Sequence, residues 1–200
     1  MSTKLKVAVV AMQGDFQKHL DMLTGLGADA YPARTAADIA RADGIVLPGG
    51  ESTTIGKLLT RYGVDEAIKQ ASGQGKPIYG TCAGLILLAR EIAEGTGERG
   101  GQPTLGLLDV SVARNAFGRQ LDSFEAPLDV PILGEERLRA VFIRAPYVTQ
   151  TGPDVETLAT YNGKTVFVRQ GVILGSAFHP ELTDDARTHR LFLSLIERGP

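Results

Sequence analysis

One pentapeptide constrains this chain more than any other stretch: Gly80-Thr81-Cys82-Ala83-Gly84, which holds the only cysteine in the sequence. Lys76-Pro77-Ile78-Tyr79 ahead of it reads as a short buried strand, and Leu85-Ile86-Leu87-Leu88-Ala89-Arg90 behind it as a buried helix. The unit is a strand, a sharp turn and a helix with a thiol at the apex. Glycines flank the nucleophile of such an elbow because the turn is tight and side chains there collide. A thiol at a helix N-terminus also meets the positive end of the helix dipole, which favours the thiolate. A lone cysteine is most often a small core residue. The glycine frame and the partners below favour a nucleophile.

A nucleophilic cysteine needs a base, and the chain offers three histidines. His19 falls within an expected first helix and His189 in an expected terminal helix between Arg187 and Arg190; both read as solvated or half-buried helix residues. His179 follows the apolar run Val172-Ile173-Leu174-Gly175-Ser176-Ala177-Phe178 and opens His179-Pro180-Glu181. Proline pushes the residue before it out of the helical region. The segment therefore reads as extended, with His179 and Glu181 on one face and the carboxylate orienting the imidazole. The order cysteine, histidine, acid differs from the nucleophile, acid, histidine order of α/β-hydrolases, which excludes that fold. Backbone N–H donors for an oxyanion are sought at Ala83, just after the thiol, and at Gly50 in the loop Leu47-Pro48-Gly49-Gly50-Glu51-Ser52.

Strands are expected over residues 5–11, 28–31, 44–47 and 77–79, alternating with helices over 15–26, 36–41, 53–62, 64–72 and 83–92. That alternation predicts an α/β fold: one three-layer domain over residues 1–200, its central, mostly parallel twisted sheet covered by helices on both faces. The second half changes character. Strands are expected over 108–114, 123–129, 140–144, 157–161, 165–170 and 172–177, and Asn162-Gly163 signals a hairpin, which adds an antiparallel region before a closing helix over 184–197. Open α/β sheets bind ligands beyond the carboxyl ends of their strands. Gly49-Gly50, Cys82 and His179 all fall at such ends.

Composition excludes other classes. A formal net charge of −2 argues against a nucleic-acid surface. One cysteine rules out an internal disulfide and suits a reducing cytoplasm. No apolar run approaches a membrane span, and the start Met-Ser-Thr-Lys-Leu-Lys leads into a strand without the apolar stretch of a signal peptide. One cysteine and three scattered histidines give no metal-ligand spacing. The stretch from Gly95 to Gly100 matches a dinucleotide-binding glycine pattern but follows a helix. From Gly50 to Gly56-Lys57-Leu58 the spacing and the missing hydroxyl rule out a phosphate loop. No metal and no cofactor are expected.

The cysteine elbow, the Pro-Gly-Gly-Glu-Ser loop and the His-Pro-Glu triplet together resemble the class I (triad) glutamine amidotransferases. Ala11-Met12-Gln13-Gly14, the loop from Leu47 to Thr54, Arg114-Asn115-Ala116-Phe117-Gly118-Arg119-Gln120, Asp122-Ser123-Phe124-Glu125, Ile143-Arg144-Ala145-Pro146 and the segment from His179 to Thr183 narrow the resemblance to the SNO family, the PdxT-type glutaminase subunits of pyridoxal 5′-phosphate synthase. The chain has Ala11-Met12 where that family more often has Gly-Leu. The resemblance implies hydrolysis of glutamine through a Cys82 thioester, with His179 as base and Glu181 as its orienter. It implies a glutamine site lined by Gly50, Glu51, Ser52, Arg114, Ile143 and Arg144, with Arg114 or Arg144 pairing the substrate carboxylate. It implies an interface or gating role for Gln13, and a PdxS-type synthase subunit that receives the ammonia. Two alternatives stand beside it: a glutaminase feeding another synthase, such as that for imidazole glycerol phosphate or anthranilate, and a non-catalytic partner that keeps the fold.

Overall fold

Strands that are apolar along their whole length must be covered on both faces, and β3 (Gly44–Leu47) and β4 (Ile78–Thr81) are buried at every residue. The structure, a computed structural model, describes residues 4–93, 102–114 and 123–199. In chain order the other elements are β1 (Lys6–Val10), α1 (Phe16–Gly25), β2 (Asp29–Ala33), α2 (Ala36–Ala40), α3 (Ser52–Arg61), α4 (Val64–Gly73), α5 (Ala83–Leu88), β5 (Ala89–Ile92), β6 (Leu108–Ala113), β7 (Ser123–Leu128), β8 (Leu138–Ile143), β9 (Tyr147–Thr151), β10 (Glu156–Tyr161), β11 (Lys164–Gln170), β12 (Ile173–Ser176) and α6 (Arg187–Arg198).

A ten-stranded sheet runs β2-β1-β3-β4-β12-β11-β9-β6-β5, with β10 paired to β11. Its first five strands are parallel neighbours. From β12 onward the pairings turn antiparallel through β11, β9 and β6, with β5 lying parallel to β6 at the edge. The alternation of side chains along β4 separates the two covering layers. Tyr79 and Thr81 face α1 and α6, where they meet His19, His189 and Phe192. Gly80 faces the opposite layer, against Gly84 and Leu88 of α5. Helices thus cover both faces of the sheet.

β7 and β8 form a separate antiparallel ribbon. It is held by stacking of Phe124 and Phe142 with Tyr161 of β10 and by an edge contact of Phe142 with Phe178. The His179 N–H donates to the carbonyl of Val141 at 2.8 Å, so the ribbon also braces the chain where it leaves β12.

Most expected elements form, with local differences. The helix expected over 83–92 ends at Leu88; Ala89 turns extended (φ −58°, ψ 147°) and the chain runs on as β5 beside β6. β9 escapes the sequence because Thr149, Gln150 and Thr151 are exposed and polar, so no apolar alternation marks it. Asn162 and Gly163 both take positive φ, 48° and 73°, the geometry of the tight turn joining β10 to β11. The glycine pattern at 95–100 and the motif residues at 115–122 lie outside the described residues.

Candidate active site

Loops leaving β3, β4 and β12, three consecutive strands of the parallel half, carry Gly49-Gly50, Cys82 and His179. Cys82 takes φ 49° and ψ −102°, a conformation that costs a non-glycine residue about 1–3 kcal/mol. Its surroundings hold it there. The Cys82 N–H donates to the Ser176 carbonyl at 2.7 Å. A Cβ on Gly80 would sit 2.6 Å from the Gly84 carbonyl carbon, and one on Gly84 would sit 2.0 Å from the Leu47 carbonyl oxygen. Only glycine fits at either end of the elbow, the close approach its sequence predicts. The Cys82 Sγ lies 3.9 Å from the Ile143 carbonyl oxygen.

His179 and Glu181 meet, though along a different backbone path from the extended one expected. His179 (φ −107°, ψ 88°) leads into a 3-10 turn over Pro180–Leu182. The turn, not a strand face, brings Glu181 Oε1 to 2.7 Å from His179 Nδ1. Proline at the first position of the turn is compatible with its missing N–H. Burial alone would lower the His179 pKa. Hydrogen bonds to Cys82 and Glu181 and the attraction of both groups outweigh it and push the value up to about 10. Such a proton affinity suits a base that takes a proton from a thiol. Gly49 lets the imidazole close over the loop, since a Cβ there would lie 2.4 Å from His179 Cε1.

A cleft of about 500 Å³ opens over the thiol, lined among others by Gln13, Gly50, Glu51, Ser52, Cys82, Ala83, Arg114, Ile143, Arg144 and His179. Every candidate residue named from the sequence thus borders it except Glu181, which lies buried behind His179. Gln13 Oε1 accepts from the Glu51 N–H at 2.9 Å, fixing the glycine loop from the first βα turn. The Glu51 carboxylate caps α3, accepting from the N–H groups of Thr53 at 3.0 Å and Thr54 at 2.6 Å. Burial alone would raise its pKa; these bonds reverse the sign and hold it at about 2. Arg114, Ser52 and Thr53 converge on Gln102 Oε1, a meeting point with no motif of its own in the sequence. Arg144 is exposed and takes φ 42°, which turns the chain at the end of β8. A second hollow of about 560 Å³, lined by Lys4, Lys6, Arg41, Asp43 and Lys76, has neither Cys82 nor a histidine on its walls.

The largest departure from the sequence reading lies behind the cleft. His19 and His189 are fully buried, neither solvated nor half-buried. His19 Nδ1 lies 2.9 Å from His189 Nε2, and His19 Nε2 lies 3.1 Å from Thr81 Oγ1 and 3.4 Å from Glu181 Oε2. Among the described residues no group of three or more His, Cys, Asp or Glu is arranged to hold a metal, and no helix is long and apolar enough to cross a membrane.

Comparison with known proteins gives the family of the chain. The SNO glutamine amidotransferase family matches residues 9–198. The pyridoxal 5′-phosphate synthase subunit PdxT of Herpetosiphon aurantiacus is 55% identical over 192 residues, covering 96% of this chain and 100% of its own. PdxT of Pelotomaculum thermopropionicum is 53% identical over 195 residues, covering 98% and 97%. A crystal structure of a glutamine amidotransferase superposes with a TM-score of 0.88 at 45% identity, covering 96% of this chain and 98% of that one. A glutamine amidotransferase from Thermotoga maritima, at 14% identity and a TM-score of 0.62 over 98% of this chain and 92% of its own, shares the fold alone. The chain belongs to the SNO glutamine amidotransferase family.

Proposed function

We propose that the chain, as one domain, hydrolyses glutamine with Cys82, His179 and Glu181 as its triad and passes the ammonia to a PdxS-type synthase subunit making pyridoxal 5′-phosphate. The observation that carries the reading is a strained, backbone-locked Cys82 sharing a cleft wall with an imidazole whose Nδ1 is 2.7 Å from a buried carboxylate. His179 accepts the thiol proton, and the sulfur attacks the side-chain carboxamide carbon of glutamine. The N–H groups of Gly50 and Ala83 receive the oxyanion. His179 returns its proton to the leaving nitrogen, the C–N bond breaks, and ammonia departs from a γ-glutamyl thioester. Water, deprotonated by His179, then attacks the thioester carbonyl. The C–S bond breaks, glutamate is released and the thiol is restored.

Glu181 keeps His179 in the tautomer that presents Nε2 to the sulfur and stabilises the imidazolium. Arg114 or Arg144 pairs the substrate α-carboxylate, with Ser52, Glu51 and Ile143 shaping the pocket. Gln13 gates the glycine loop through its bond to the Glu51 N–H, and binding of the synthase acts on this contact. The reaction needs no metal or cofactor in this reading, and its compartment is the cytoplasm. Glutamate release measured with and without the synthase subunit tests the coupling: the expected result is a low rate for the chain alone and a rise when the partner is added. Equal rates would remove the gating role of Gln13 and the loop.

A further inference from the structure

Hydrolysis uses one oxygen of Glu181. Oε1 holds His179, whereas Oε2 is buried and makes no hydrogen bond of ordinary geometry among the described residues. A buried carboxylate oxygen left this way is costly. The group that faces it is His19, with Nε2 at 3.4 Å. Behind His19 a polar chain continues through the core, from Nδ1 to His189 Nε2 at 2.9 Å and from His189 Nδ1 to Thr188 Oγ1 at 3.5 Å. His19, Thr81, Thr188 and His189 have no exposed surface. The chain thus crosses from the segment after β12 to α1 and then to α6, with β4 alongside.

The direction of this chain follows from counting protons. Burial, with the neighbouring charge of His189 and His179, lowers the His19 pKa well below its usual value, and burial lowers that of His189 to about 4. Each ring therefore carries one N–H at neutral pH. The 2.9 Å contact needs a hydrogen from one side. If it came from His19 Nδ1, the lone pair on His19 Nε2 would face the Glu181 carboxylate, two acceptors against each other. If it comes from His189 Nε2, then His189 Nδ1 is free to accept from the Thr188 hydroxyl. His19 then keeps its hydrogen on Nε2, aimed between Thr81 Oγ1 and Glu181 Oε2. Only the second arrangement gives every group a complementary partner.

We infer that His19 is a positioning residue for the triad: its Nε2–H holds Glu181 through Oε2 while Oε1 orients His179, and His189 with Thr188 fixes the tautomer. The inference rests on the triad reading above, and it ties catalysis to the docking of α1 and α6 on the sheet. A shift of either helix would move the carboxylate, then the imidazole.

Two measurements test it. With three histidines in the chain, ¹⁵N-histidine labelling resolves every ring nitrogen. The expected spectrum at neutral pH has His19 and His189 protonated at Nε2 and bare at Nδ1; a proton on His19 Nδ1 would overturn the relay. In the complex with the synthase subunit, His19→Leu should lower kcat by about tenfold to a hundredfold, the penalty for a small misplacement of a catalytic base, with KM within about twofold. His19→Gln, which returns a donor near the Nε2 position, should recover most of the rate. A His19→Leu enzyme within about twofold of wild type would sink the inference, as would a His19→Gln enzyme no better than the leucine variant. If the leucine variant does not fold, the tautomer assignment decides alone. Cys82→Ala run in parallel separates the failures: glutamate release by that variant removes the triad, while the tautomers of His19 and His189 stand on their own spectrum.

Discussion

The two halves of the sheet contribute different things to one cleft. The parallel half supplies Gly50, Cys82 and His179 from adjacent strand ends, with the thiol on a backbone held at φ 49° and Cys82 and His179 each only 8% exposed. The antiparallel half and its ribbon supply Arg114, Ile143 and Arg144 from the ends of β6 and β8, none of them fully buried. Bond-making groups need fixed geometry, which neighbouring parallel strands with short turns provide. Groups that hold a charged substrate end tolerate looser placement. Substitutions in the first half should therefore strike kcat, and those in the second KM.

The most severe test of this division is at the elbow. Cys82→Ala should lower glutamate release by at least about 10⁴-fold, because the bond-forming atom of the proposed mechanism is gone. The fold should persist, since alanine adds no atom to the turn. Release above a few percent of wild type would remove the nucleophile from the parallel half. Glu181→Gln follows, with an expected loss in kcat of about a hundredfold to ten-thousandfold, smaller than that of His179→Asn, because in the proposed triad the carboxylate orients the imidazole and never carries the transferred proton. Wild-type kinetics for Glu181→Gln would reduce Glu181 to a buried acid of no catalytic consequence.

Stability against pH probes the same contrast, because the shifted histidines all pack in the parallel half. His189 has its pKa lowered to about 4 by burial, so the unfolded chain binds its proton more readily. Its contribution is present above about pH 6.5 and is lost as pH falls towards 4. A displacement from 6.5 to about 4 is worth on the order of 3 kcal/mol. His179 has the opposite sign. Its pKa is raised to about 10, so its contribution is full below pH 6.5 and disappears as pH rises through 10. Denaturant titrations of wild type and His189→Phe should diverge above pH 6.5 and converge towards pH 4. A difference independent of pH would show that the fold does not lower the proton affinity of His189.

On the antiparallel side, Arg144→Ala should raise KM for glutamine about tenfold to a hundredfold, the loss of a charge-assisted bond of about 1.5–3 kcal/mol, and change kcat less than threefold. A fall in kcat with KM unchanged would move Arg144 into the group that acts on the transition state, and the division between the halves would fail there.

Most of the fold was legible because periodicity and turn residues mark it directly. Fully apolar runs gave β3 and β4, and Asn162-Gly163 gave the hairpin. β9 was not legible because its side chains are exposed, and the end of α5 was not because an apolar run fits strand and helix alike. The elbow was equally legible: the glycines around Cys82 are dictated by contacts with the backbone of Gly84 and Leu47. The back of the site was misread, though a signal existed. Phe16, His19, Leu20 and Leu23 occupy one helical stripe, as do His189, Phe192, Leu193 and Ile196, so spacing alone placed both imidazoles among core residues. What spacing could not give is that two stripes 170 residues apart meet at 2.9 Å behind one carboxylate.

The smallest expected effect tests where Glu51 belongs. Its resemblance-based role is to line the glutamine site, yet both of its carboxylate oxygens are taken up by the first turn of α3, and its own N–H is held by Gln13. A side-chain cap of this kind is worth about 1 kcal/mol, or roughly 2–4 °C in Tm for a chain of this size. Glu51→Ala should therefore lower Tm by that amount at neutral pH. With its carboxyl pKa held at about 2 in the fold, the cap is intact above pH 4.5 and lost as pH falls through 2, so the difference from wild type should fade in strong acid. The backbone N–H that meets Gln13 survives the substitution, and KM should rise by less than about threefold. A tenfold rise in KM with Tm unchanged would mean that the carboxylate serves the substrate, making Glu51 a recognition group contributed by the parallel half.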